Sequence, residues 1–550
     1  MTLRKIRIAL AAVMMIGITW LFLDFTGTAY PWLHWMPKLQ FLEALLALNV
    51  VVIAALVVLT LIFGRIYCSV ICPLGIMQDI FAWFGKRAKK NRYTYSKALS
   101  WLRYGVLALG VIAFLLGISV IVQLLSPYSA FGIIATNLLQ PVYVAGNNVL
   151  AAIAEHYDSY AFYHSDVWLR SVTSLVIAIV TLVILAVLAW RNGRTYCNTI
   201  CPVGTILSFL SRFSWLKIRF DEEKCRNCSM CSKNCKAACI DYKTHTVDAS
   251  RCVVCGNCIN NCKFGALKYS RGHGGTEARR HENTPPADIS RSPVPPHPRT
   301  SAARSPAPTP LPKKEGSDYS QGGKDSTNKS NNSSPIGEAG EGSGRRSFLI
   351  GSALLTTAAL AQQKDKIMDG GLAEIVDKVA PERQTPLTPP GSLSARNMAL
   401  RCTGCQLCIT ECPNQVLRPN TDLLHLMQPV MSYERGYCRP ECNHCSQVCP
   451  AGAIQPITPE VKASTQIGHA VWIKKNCIPL TDGVECGNCA RHCPTGAIEM
   501  VPSNPDDEES PYVPAVNETR CIGCGACEYL CPARPFSAIY VEGHEVHKEK

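Results

Sequence analysis

The sequence lacks features that would identify several common classes of protein. It contains no DNA-binding motif, so the formal net charge of +14 does not by itself indicate a nucleic-acid partner. It also contains no constellation of acid, base and nucleophile typical of a catalytic site. Residues 127–168 contain no Lys or Arg, so the positive charge is unevenly placed. We therefore expect no nucleic-acid partner and no substrate chemistry carried out by the chain alone.

Hydrophobic residues make up 47% of the 550 residues and concentrate before residue 211. Four apolar stretches, 6–23, 41–63, 101–125 and 171–190, approach the ~20 residues that cross a bilayer as a helix. Positive charges precede the first stretch and crowd the segment between the second and third (Arg4, Lys5, Arg7; Lys86, Arg87, Lys89, Lys90, Arg92, Lys97). The positive-inside rule places these segments, and the chain after Arg191, in the cytoplasm. Residues 1–210 are predicted to form a four-helix transmembrane domain of a bacterial inner membrane.

An internal repeat follows the second and fourth stretches. The pattern Gly-Arg-x-Tyr-Cys-x3-Cys-Pro-x-Gly occupies residues 64–75 and again 193–204. Parallel repeats are usually related by an axis along the membrane normal, so the four thiols are expected to converge (Cys68, Cys72, Cys197, Cys201). Four thiolates suit an iron–sulfur cluster, copper(I) or zinc, and a redox or structural role remains an alternative.

Residues 211–270 are predicted to form a cytoplasmic ferredoxin-like α+β domain, because they carry two cysteine groups with the spacing of two-cluster bacterial ferredoxins. In that arrangement three close cysteines bind one [4Fe–4S] cluster and the fourth binds the other. The first cluster is assigned to Cys225, Cys228, Cys231 and Cys262, and the second to Cys252, Cys255, Cys258 and Cys235. Lys236 and Lys263 occupy positions where proline is usual, and the surplus Cys239 is an alternative ligand to Cys235. A zinc ribbon would need two C-x2-C pairs instead.

Residues 271–344 are rich in Pro, Ser, Gly, Asn and charge and are predicted to be a disordered linker. Arg345 and Arg346 then precede a short apolar run that ends at Ala361. This pattern, over 345–361, predicts a twin-arginine export signal, with a chance Arg pair before a fifth anchor helix as the alternative. Cleavage after Ala361 remains open.

Residues 395–545 are predicted to form an exported, periplasmic ferredoxin-like domain with four further cysteine groups. They are Cys402, Cys405, Cys408 and Cys412; Cys438, Cys442, Cys445 and Cys449; Cys477, Cys486, Cys489 and Cys493; and Cys521, Cys524, Cys527 and Cys531. Eight disulfides are the alternative in an oxidising compartment, but the regular spacing favours clusters. Six groups of four, the four repeat cysteines and Cys239 account for all 29 cysteines. The sequence therefore predicts about six [4Fe–4S] clusters and a possible further metal at the repeat.

These motifs resemble known families of electron carriers. The two repeat turns and the cysteine runs from Cys225 to Cys262 resemble NapH and the membrane domain of NosR. The twin arginines and the groups from Cys402 to Cys531 look like NapG and MauM, as if the chain were a fusion of the two kinds of protein. The second resemblance implies that the first group pairs with the last and the inner two with each other. The implied sets are Cys402, Cys405, Cys408 with Cys531; Cys521, Cys524, Cys527 with Cys412; Cys438, Cys442, Cys445 with Cys493; and Cys477, Cys486, Cys489 with Cys449.

The resemblance implies a membrane-bound electron conduit from quinol or a cytoplasmic donor to a periplasmic oxidoreductase. Aromatic and His residues expected near the outer face are candidates to border a quinol site, although an interfacial belt is the alternative (Trp32, His34, Trp35, His156, His164). A different hypothesis is a metal-handling or assembly factor that binds copper at the repeat cysteines. A redox sensor acting on transcription is a third.

Overall fold

The first part of the chain is helical. The structure, a computed structural model, describes residues 3–24, 26–88, 93–159, 161–271, 379–507 and 509–549. Its helices in this part are α1 (Leu3–Leu23), α2 (Tyr30–Leu33), α3 (Trp35–Lys38), α4 (Phe41–Leu46), α5 (Val50–Phe63), α6 (Tyr67–Val70), α7 (Pro73–Arg87), α8 (Ser100–Leu115), α9 (Ser119–Leu125), α10 (Pro127–Ile134), α11 (Gln140–His156), α12 (Val172–Asn192), α13 (Thr195–Thr199) and α14 (Pro202–Ser211). A π-helical turn, Ala135–Leu139, joins α10 to α11.

Two of these helices, α1 and α12, are long and apolar enough to cross a membrane. Each has 21 residues, which corresponds to about 30 Å of helix and to the thickness of a bilayer's hydrocarbon core. The Ser171 side chain caps the start of α12 by accepting a hydrogen bond from the Ser174 amide. Gly193 ends it with φ of 72°, a conformation that glycine adopts without strain.

The other two apolar stretches are not continuous helices, which corrects the expectation for 41–63 and 101–125. The first is broken between α4 and α5, where Leu48 has φ of 55° and Asn49 caps α5. The second is broken after α8, where Gly117 has φ of 76°. The 14 residues of α5 span only about 21 Å. Residues 127–168, expected to be a connecting segment, contain α10 and α11, which together bend by 78° from α9.

Both cysteine-rich regions combine short helices with antiparallel strand pairs. The first contains β1 (Leu216–Phe220), α15 (Met230–Lys233), β2 (Ile240–Asp241), β3 (Thr246–Val247), α16 (Asn257–Asn261) and β4 (Leu267–Arg271). Strand β1 pairs with β4, and β2 with β3. We call these residues, 216–271, the first ferredoxin region.

The second ferredoxin region comprises residues 395–549. Its strands are β5 (Leu417–Pro419), β6 (Pro429–Met431), β7 (Thr465–Trp472), β8 (Ile498–Pro502), β9 (Tyr512–Val516) and β10 (Ile539–Glu549). They pair antiparallel as β5–β6, β7–β10 and β8–β9. Its helices are Ala395–Arg401, Leu407–Thr410, His444–Val448, Pro459–Ser464, Ile478–Thr481, Asn488–Arg491 and Ala526–Tyr529.

The two ferredoxin regions contact opposite ends of α12. Just after its C-terminal end, the Arg194 amide donates to the carbonyl oxygen of Lys236, 2.8 Å away, in the first region. In its first turn, Ser174 Oγ accepts a 2.8 Å hydrogen bond from Gln406 Nε2 in the second region.

The two ferredoxin regions also contact opposite ends of α1. Its first residues, at Arg4, lie against Gly256 of the first region. Beyond its C-terminal end, Tyr30 Oη donates to the carbonyl oxygen of Gln447 of the second region at 2.5 Å. The length of a 21-residue helix therefore separates the two regions, although both belong to one compact unit.

The predicted linker, apart from Arg271, and the predicted twin-arginine signal lie outside the described residues. Those two predictions therefore stay predictions.

Candidate metal centres

The repeated turn has the same local construction in both copies. Gly64 and Gly193 end α5 and α12 with φ of 73° and 72°. After the second cysteine of each copy, Pro73 and Pro202 begin α7 and α14, because a proline at the first helical position loses no intrahelical hydrogen bond. The cysteines are thereby held in a tight turn between two helices.

The two copies are cross-linked by their arginines. Arg65 Nη2 donates to the carbonyl oxygen of Cys197 at 3.0 Å, and Arg194 Nη1 donates to the carbonyl oxygen of Cys68. Both arginines are completely buried. Each side chain therefore binds the backbone of the other copy, as expected for two parallel repeats related by a pseudo-twofold axis.

The final glycine of each copy makes this crossing possible. A Cβ at Gly75 would lie 2.2 Å from the carbonyl oxygen of Cys68 and 2.8 Å from Arg194 Nη1. A Cβ at Gly204 would meet Cys197 and Arg65 in the same way, at 2.3 and 2.9 Å. The arginine, the first cysteine and the final glycine of each copy therefore meet at the junction of the two turns.

The four repeat cysteines converge, as the sequence predicts. All four are buried. Burial, and then the negative charges of Cys197, Cys68 and Cys201, raise the pKa of Cys72. Gln78 Nε2 donates to Cys197 Sγ at 3.3 Å, and the Gly204 amide donates to Cys201 Sγ at 3.3 Å. Arg65 Nη2 donates to Cys68 Sγ at 3.8 Å, so the junction supplies four thiols and hydrogen bonds to three of the sulfurs.

A buried carboxylate connects this junction to α1 and to the first ferredoxin region. Asp79, on α7, forms ion pairs with Arg7 at 2.7 Å, Arg194 at 2.8 Å and Lys236 at 3.4 Å. Burial raises the pKa of Asp79, but the positive charges of Arg194, Lys236 and Arg7 outweigh it and hold the pKa well below its usual range. Lys236 is the residue that replaces proline after Cys235, and its ion pair gives that departure a structural role. Sequence reasoning missed Asp79, whose only signal is an acidic residue in an apolar helix.

The first ferredoxin region brings its two sets of cysteines together in the predicted combination. Cys225, Cys228, Cys231 and Cys262 line one cavity. Burial and the charge of Cys235 raise the pKa of Cys255. Burial, then the charges of Cys255, Cys252 and Cys235, raise the pKa of Cys258. Cys239 Sγ is 3.5 Å from Cys235 Sγ, so the surplus thiol lies beside the second set.

The second ferredoxin region groups its cysteines differently from the resemblance, and the implied pairing is wrong in this structure. Cys438, Cys442 and Cys445 line a cavity together with Cys412, rather than with Cys493. Burial raises the pKa of Cys402, Cys405 and Cys408, and the charge of Cys449 raises all three further. The fourth cysteine near this group is therefore Cys449, rather than Cys531.

The third and fourth groups pair with each other in the same way. Burial raises the pKa of Cys477 and Cys489, and the charge of Cys531 raises both further. The charges of Cys521 and then Cys493 add to the effect of burial on Cys524. Neighbouring groups along the chain therefore exchange their fourth cysteine, because the short helices Leu407–Thr410 and His444–Val448 pack together, as do Asn488–Arg491 and Ala526–Tyr529.

In the second region, the pair formed by the first two cysteine groups is hydrogen-bonded to the pair formed by the last two. The Cys438 amide donates to the carbonyl oxygen of Cys524 at 2.9 Å. Tyr433 Oη donates to the carbonyl oxygen of Gly523 at 2.5 Å, and its ring covers Gly525. The set that contains Cys438 therefore lies next to the set that contains Cys524.

A buried cation lies against one of these sets. Lys462 is 5% exposed, and its ammonium group donates to the carbonyl oxygens of Arg439, at 2.6 Å, and Cys442. Burial lowers the pKa of Lys462, but the charges of Cys438, Cys445 and Cys442 more than compensate, so its pKa is raised. A positive charge here favours the thiolate forms.

The donor set fits iron–sulfur clusters. Thiolate is the ligand that these clusters require, and a cubane binds its four cysteines at separate corners. All 29 cysteines lie in the described residues and none forms a disulfide. Within those same residues, no group of three or more His, Cys, Asp or Glu side chains is arranged to hold a single metal ion.

Comparison with known protein families also indicates iron–sulfur cluster binding. A family described as a 4Fe-4S binding domain matches residues 45–92 and 173–221, which contain the two repeat turns. A 4Fe-4S dicluster domain matches 484–534, and another 4Fe-4S binding domain matches 245–268. No solved structure matches the chain.

The curated relatives include several ferredoxin-type proteins. The chain is 30% identical over 153 residues to the methylamine utilization ferredoxin-type protein MauM of Methylobacillus flagellatus, which is 27% of this chain and 64% of MauM. It is 29% identical over 161 residues to the ferredoxin-type protein NapF of Escherichia coli K12, 29% of this chain and 87% of NapF. It is 25% identical over 189 residues to a protein of the same strain described as "Putative electron transport protein YccM", which is 34% of this chain and 46% of YccM.

The chain thus covers less than two thirds of MauM and about half of YccM. It contains 4Fe-4S binding domains and is similar to ferredoxin-type proteins. It is related to the Mau and Nap ferredoxin-type proteins.

Replacing Asp79 should destabilise the protein strongly. Asp79→Asn leaves three cations without their buried carboxylate, a loss that typically costs about 3–5 kcal/mol. We expect a clearly lower melting temperature for the detergent-purified variant. Asp221→Asn is the matched control, because its partners Lys224 and Lys268 are exposed and the pair contributes little. Equal melting temperatures for Asp79→Asn and the unmodified protein would contradict the role of this carboxylate.

The revised cysteine pairing predicts which two changes affect the same cluster. Lys462→Met removes a positive charge beside Cys438, Cys442 and Cys445, so it should lower the reduction potential of one EPR signal. Cys412→Ser should alter that same signal, and Cys493→Ser a different one. Redox titration followed by EPR checks this, with Lys268→Met in the first region as a control. The implied pairing predicts instead that Cys493→Ser and Lys462→Met act on one signal.

Proposed function

We propose that this protein is a transmembrane electron relay in which seven cysteine sets carry clusters in series. Two sets lie in the first ferredoxin region, four in the second, and the buried four-thiol junction of the repeats lies between them. When bound, iron–sulfur clusters accept and release single electrons. The observation that carries the proposal is the position of the junction, which contacts residues leading to both regions.

One side of the junction leads to the first region through ion pairs. Lys236, adjacent to Cys235, pairs with Asp79. Asp79 also pairs with Arg194, whose guanidinium donates to the carbonyl oxygen of Cys68. Three contacts therefore connect a cysteine of the first region to a cysteine of the junction. These buried charges fix the position of the first region relative to the junction.

The other side leads to the second region through α10. Tyr196, adjacent to Cys197, donates from Oη to the carbonyl oxygen of Leu125 at 3.3 Å. Helix α10 starts two residues later, and a Cβ at Gly132 would lie 2.2 Å from the carbonyl oxygen of Cys405. The backbone of α10 therefore packs directly on a cysteine of the second region, which supports a continuous series across the molecule.

Charge supports a membrane orientation for this series. Arg4 and Lys86, near the ends of α1 and α7, both contact the first region, and Lys86 Nζ donates to Asn234 Oδ1. Under the positive-inside rule that end is cytoplasmic and the second region is periplasmic. On this proposal α5 and the α8–α9 pair complete a four-helix domain in the bacterial inner membrane, surrounded by lipid.

The donor and acceptor follow from this orientation. Electrons enter either from quinol in the membrane or, at the first region, from a cytoplasmic donor. They leave from the second region to a periplasmic oxidoreductase. The arrangement corresponds to a NapH-like part fused to a NapG-like part, with export of the second region through the twin-arginine signal. On this proposal the chain takes up and passes on electrons, and the reaction of the terminal substrate takes place in the periplasmic oxidoreductase.

The test separates the relay from a metal-handling factor. The double variant Cys68→Ser with Cys197→Ser, one change in each repeat, should lower iron from about 28 to about 24 atoms per chain. Both ferredoxin regions should stay reducible by dithionite, while a cytoplasmic-side reductant should no longer reduce the second region. Ser208→Ala, a buried change on α14, is the control that keeps iron and transfer.

A metal-handling factor gives the opposite pattern. The junction would bind copper in the purified protein, iron would stay unchanged in the double variant, and the periplasmic partner would lose its metal. That result would overturn the relay.

A further inference from the structure

A cavity lies between the helical part and the second ferredoxin region. Its volume is about 320 Å³, at the lower end of the range of ligand sites. It is lined by the π-helical turn and the start of α11, by Tyr163 and residues 165–170, and by Cys412 with its neighbours. Cys412 belongs to the cysteine set that also contains Cys438. The cavity therefore opens directly beside one proposed cluster.

Polar groups in this cavity are available to a ligand. Thr136 is 2% exposed, and its hydroxyl has no hydrogen-bond partner in the structure. Arg170 Nη1 donates to Gln140 Oε1 at 2.7 Å, and other guanidinium N–H groups remain to donate. A buried hydroxyl without a partner is costly, and a ligand oxygen in the cavity would remove that cost. The π-helical turn itself is a feature common at functional sites.

The surroundings suit an apolar ligand that arrives through lipid. Val144 and Leu169 line the cavity, and α11 exposes Val142, Val149 and Ile153 on its outer face. An exposed apolar helix face of this kind is what lipid covers at a membrane surface. The cavity thus has an apolar approach and a polar interior, as expected for a ring with oxygen substituents and an apolar tail.

Charge makes the neighbouring cysteine set a good electron acceptor. Lys462 lies against Cys438 and Cys442, and Arg170 is near Cys412 on the cavity side. Positive charge stabilises the reduced form of a cluster, and so raises its reduction potential. Trp168, which lines the cavity, is surrounded by Arg170, Arg418 and Arg435, 4.9–5.9 Å from its ring.

We propose that this cavity binds the ring of a membrane quinol and is the point where quinol electrons enter the series. The inference rests on the proposed function. The ring oxygens would be held by Thr136 and Arg170. Quinol is oxidised to quinone, losing two electrons and two protons. A cluster held by Cys412, Cys438, Cys442 and Cys445 would accept these electrons one at a time, and the protons would leave to water past the exposed Asp166, which also lines the cavity.

This location differs from most of the residues that the sequence alone suggested. Trp32 and Trp35 are exposed beyond the end of α1. His34 bonds to the local carbonyl of Pro31, and its ring lies 5.4 Å from the ring of Tyr30. His156 ends α11, and His164 pairs with Glu155 at 3.5 Å. Only His164 is adjacent in sequence to residues that line the cavity.

A photoreactive azidoquinone tests the site on the full, cluster-loaded chain in lipid nanodiscs. We expect label on peptides that contain residues 136–144 or 163–170, and loss of the label when a non-reactive short-chain quinol competes. Thr136→Val and Arg170→Gln should each reduce labelling about tenfold, the effect of losing one hydrogen bond to a ligand oxygen. His34→Ala is the matched control and should keep full labelling.

EPR of the dithionite-reduced variants shows whether they are folded and loaded, so that reduced labelling is not loss of structure. Label concentrated around Trp32 and His34, or label in the cavity that the quinol does not displace, would overturn the quinol site. If all clusters are present and the cavity stays unlabelled, this inference fails and the relay stands. If acid-labile sulfide is absent, the relay itself fails.

Discussion

Two buried arginines that cross between the repeats hold the centre of this protein together. Arg65 and Arg194 each bind the cysteine backbone of the opposite turn, and this exchange brings four thiols from distant parts of the chain to one junction. The crossing requires glycine at Gly75 and Gly204, because a side chain there would overlap both a carbonyl oxygen and the partner guanidinium. Asp79 then balances Arg194 and ties the junction to α1 and to Lys236.

The same charges that hold the junction also connect it to its neighbours. Buried ion pairs are expensive to form and costly to break, so they are poor general stabilisers but good locks on one geometry. Here they fix the approach of the first ferredoxin region, whereas close backbone packing at Gly132 fixes the approach of the second. Electron transfer between sites held by one protein needs no motion of the carriers. It depends instead on contacts that keep the sites at fixed positions.

The sequence predicted the parts of this structure that depend on local spacing. Cysteine intervals identified every group of thiols, and the repeat identified the junction. Apolar length identified α1 and α12, but it could not locate the breaks near Leu48 and Gly117, because single turn residues hardly change the hydrophobicity of a long stretch. The pairing of groups in the second region depends on which short helices pack together, so a resemblance could not establish it. Asp79 and Lys462 act through tertiary contacts that leave no local pattern.

Electron transfer across a sealed membrane is the measurement that tests this series of clusters most directly. The cluster-loaded protein is reconstituted in liposomes that contain ferricyanide, and a membrane-impermeant reductant is added outside. A series of clusters that crosses the bilayer predicts reduction of the enclosed ferricyanide only when the protein is present, and its loss when the repeat cysteines are replaced. If the external reductant reduces only the clusters of one region and the enclosed ferricyanide stays oxidised, the two regions are not connected and the account is wrong.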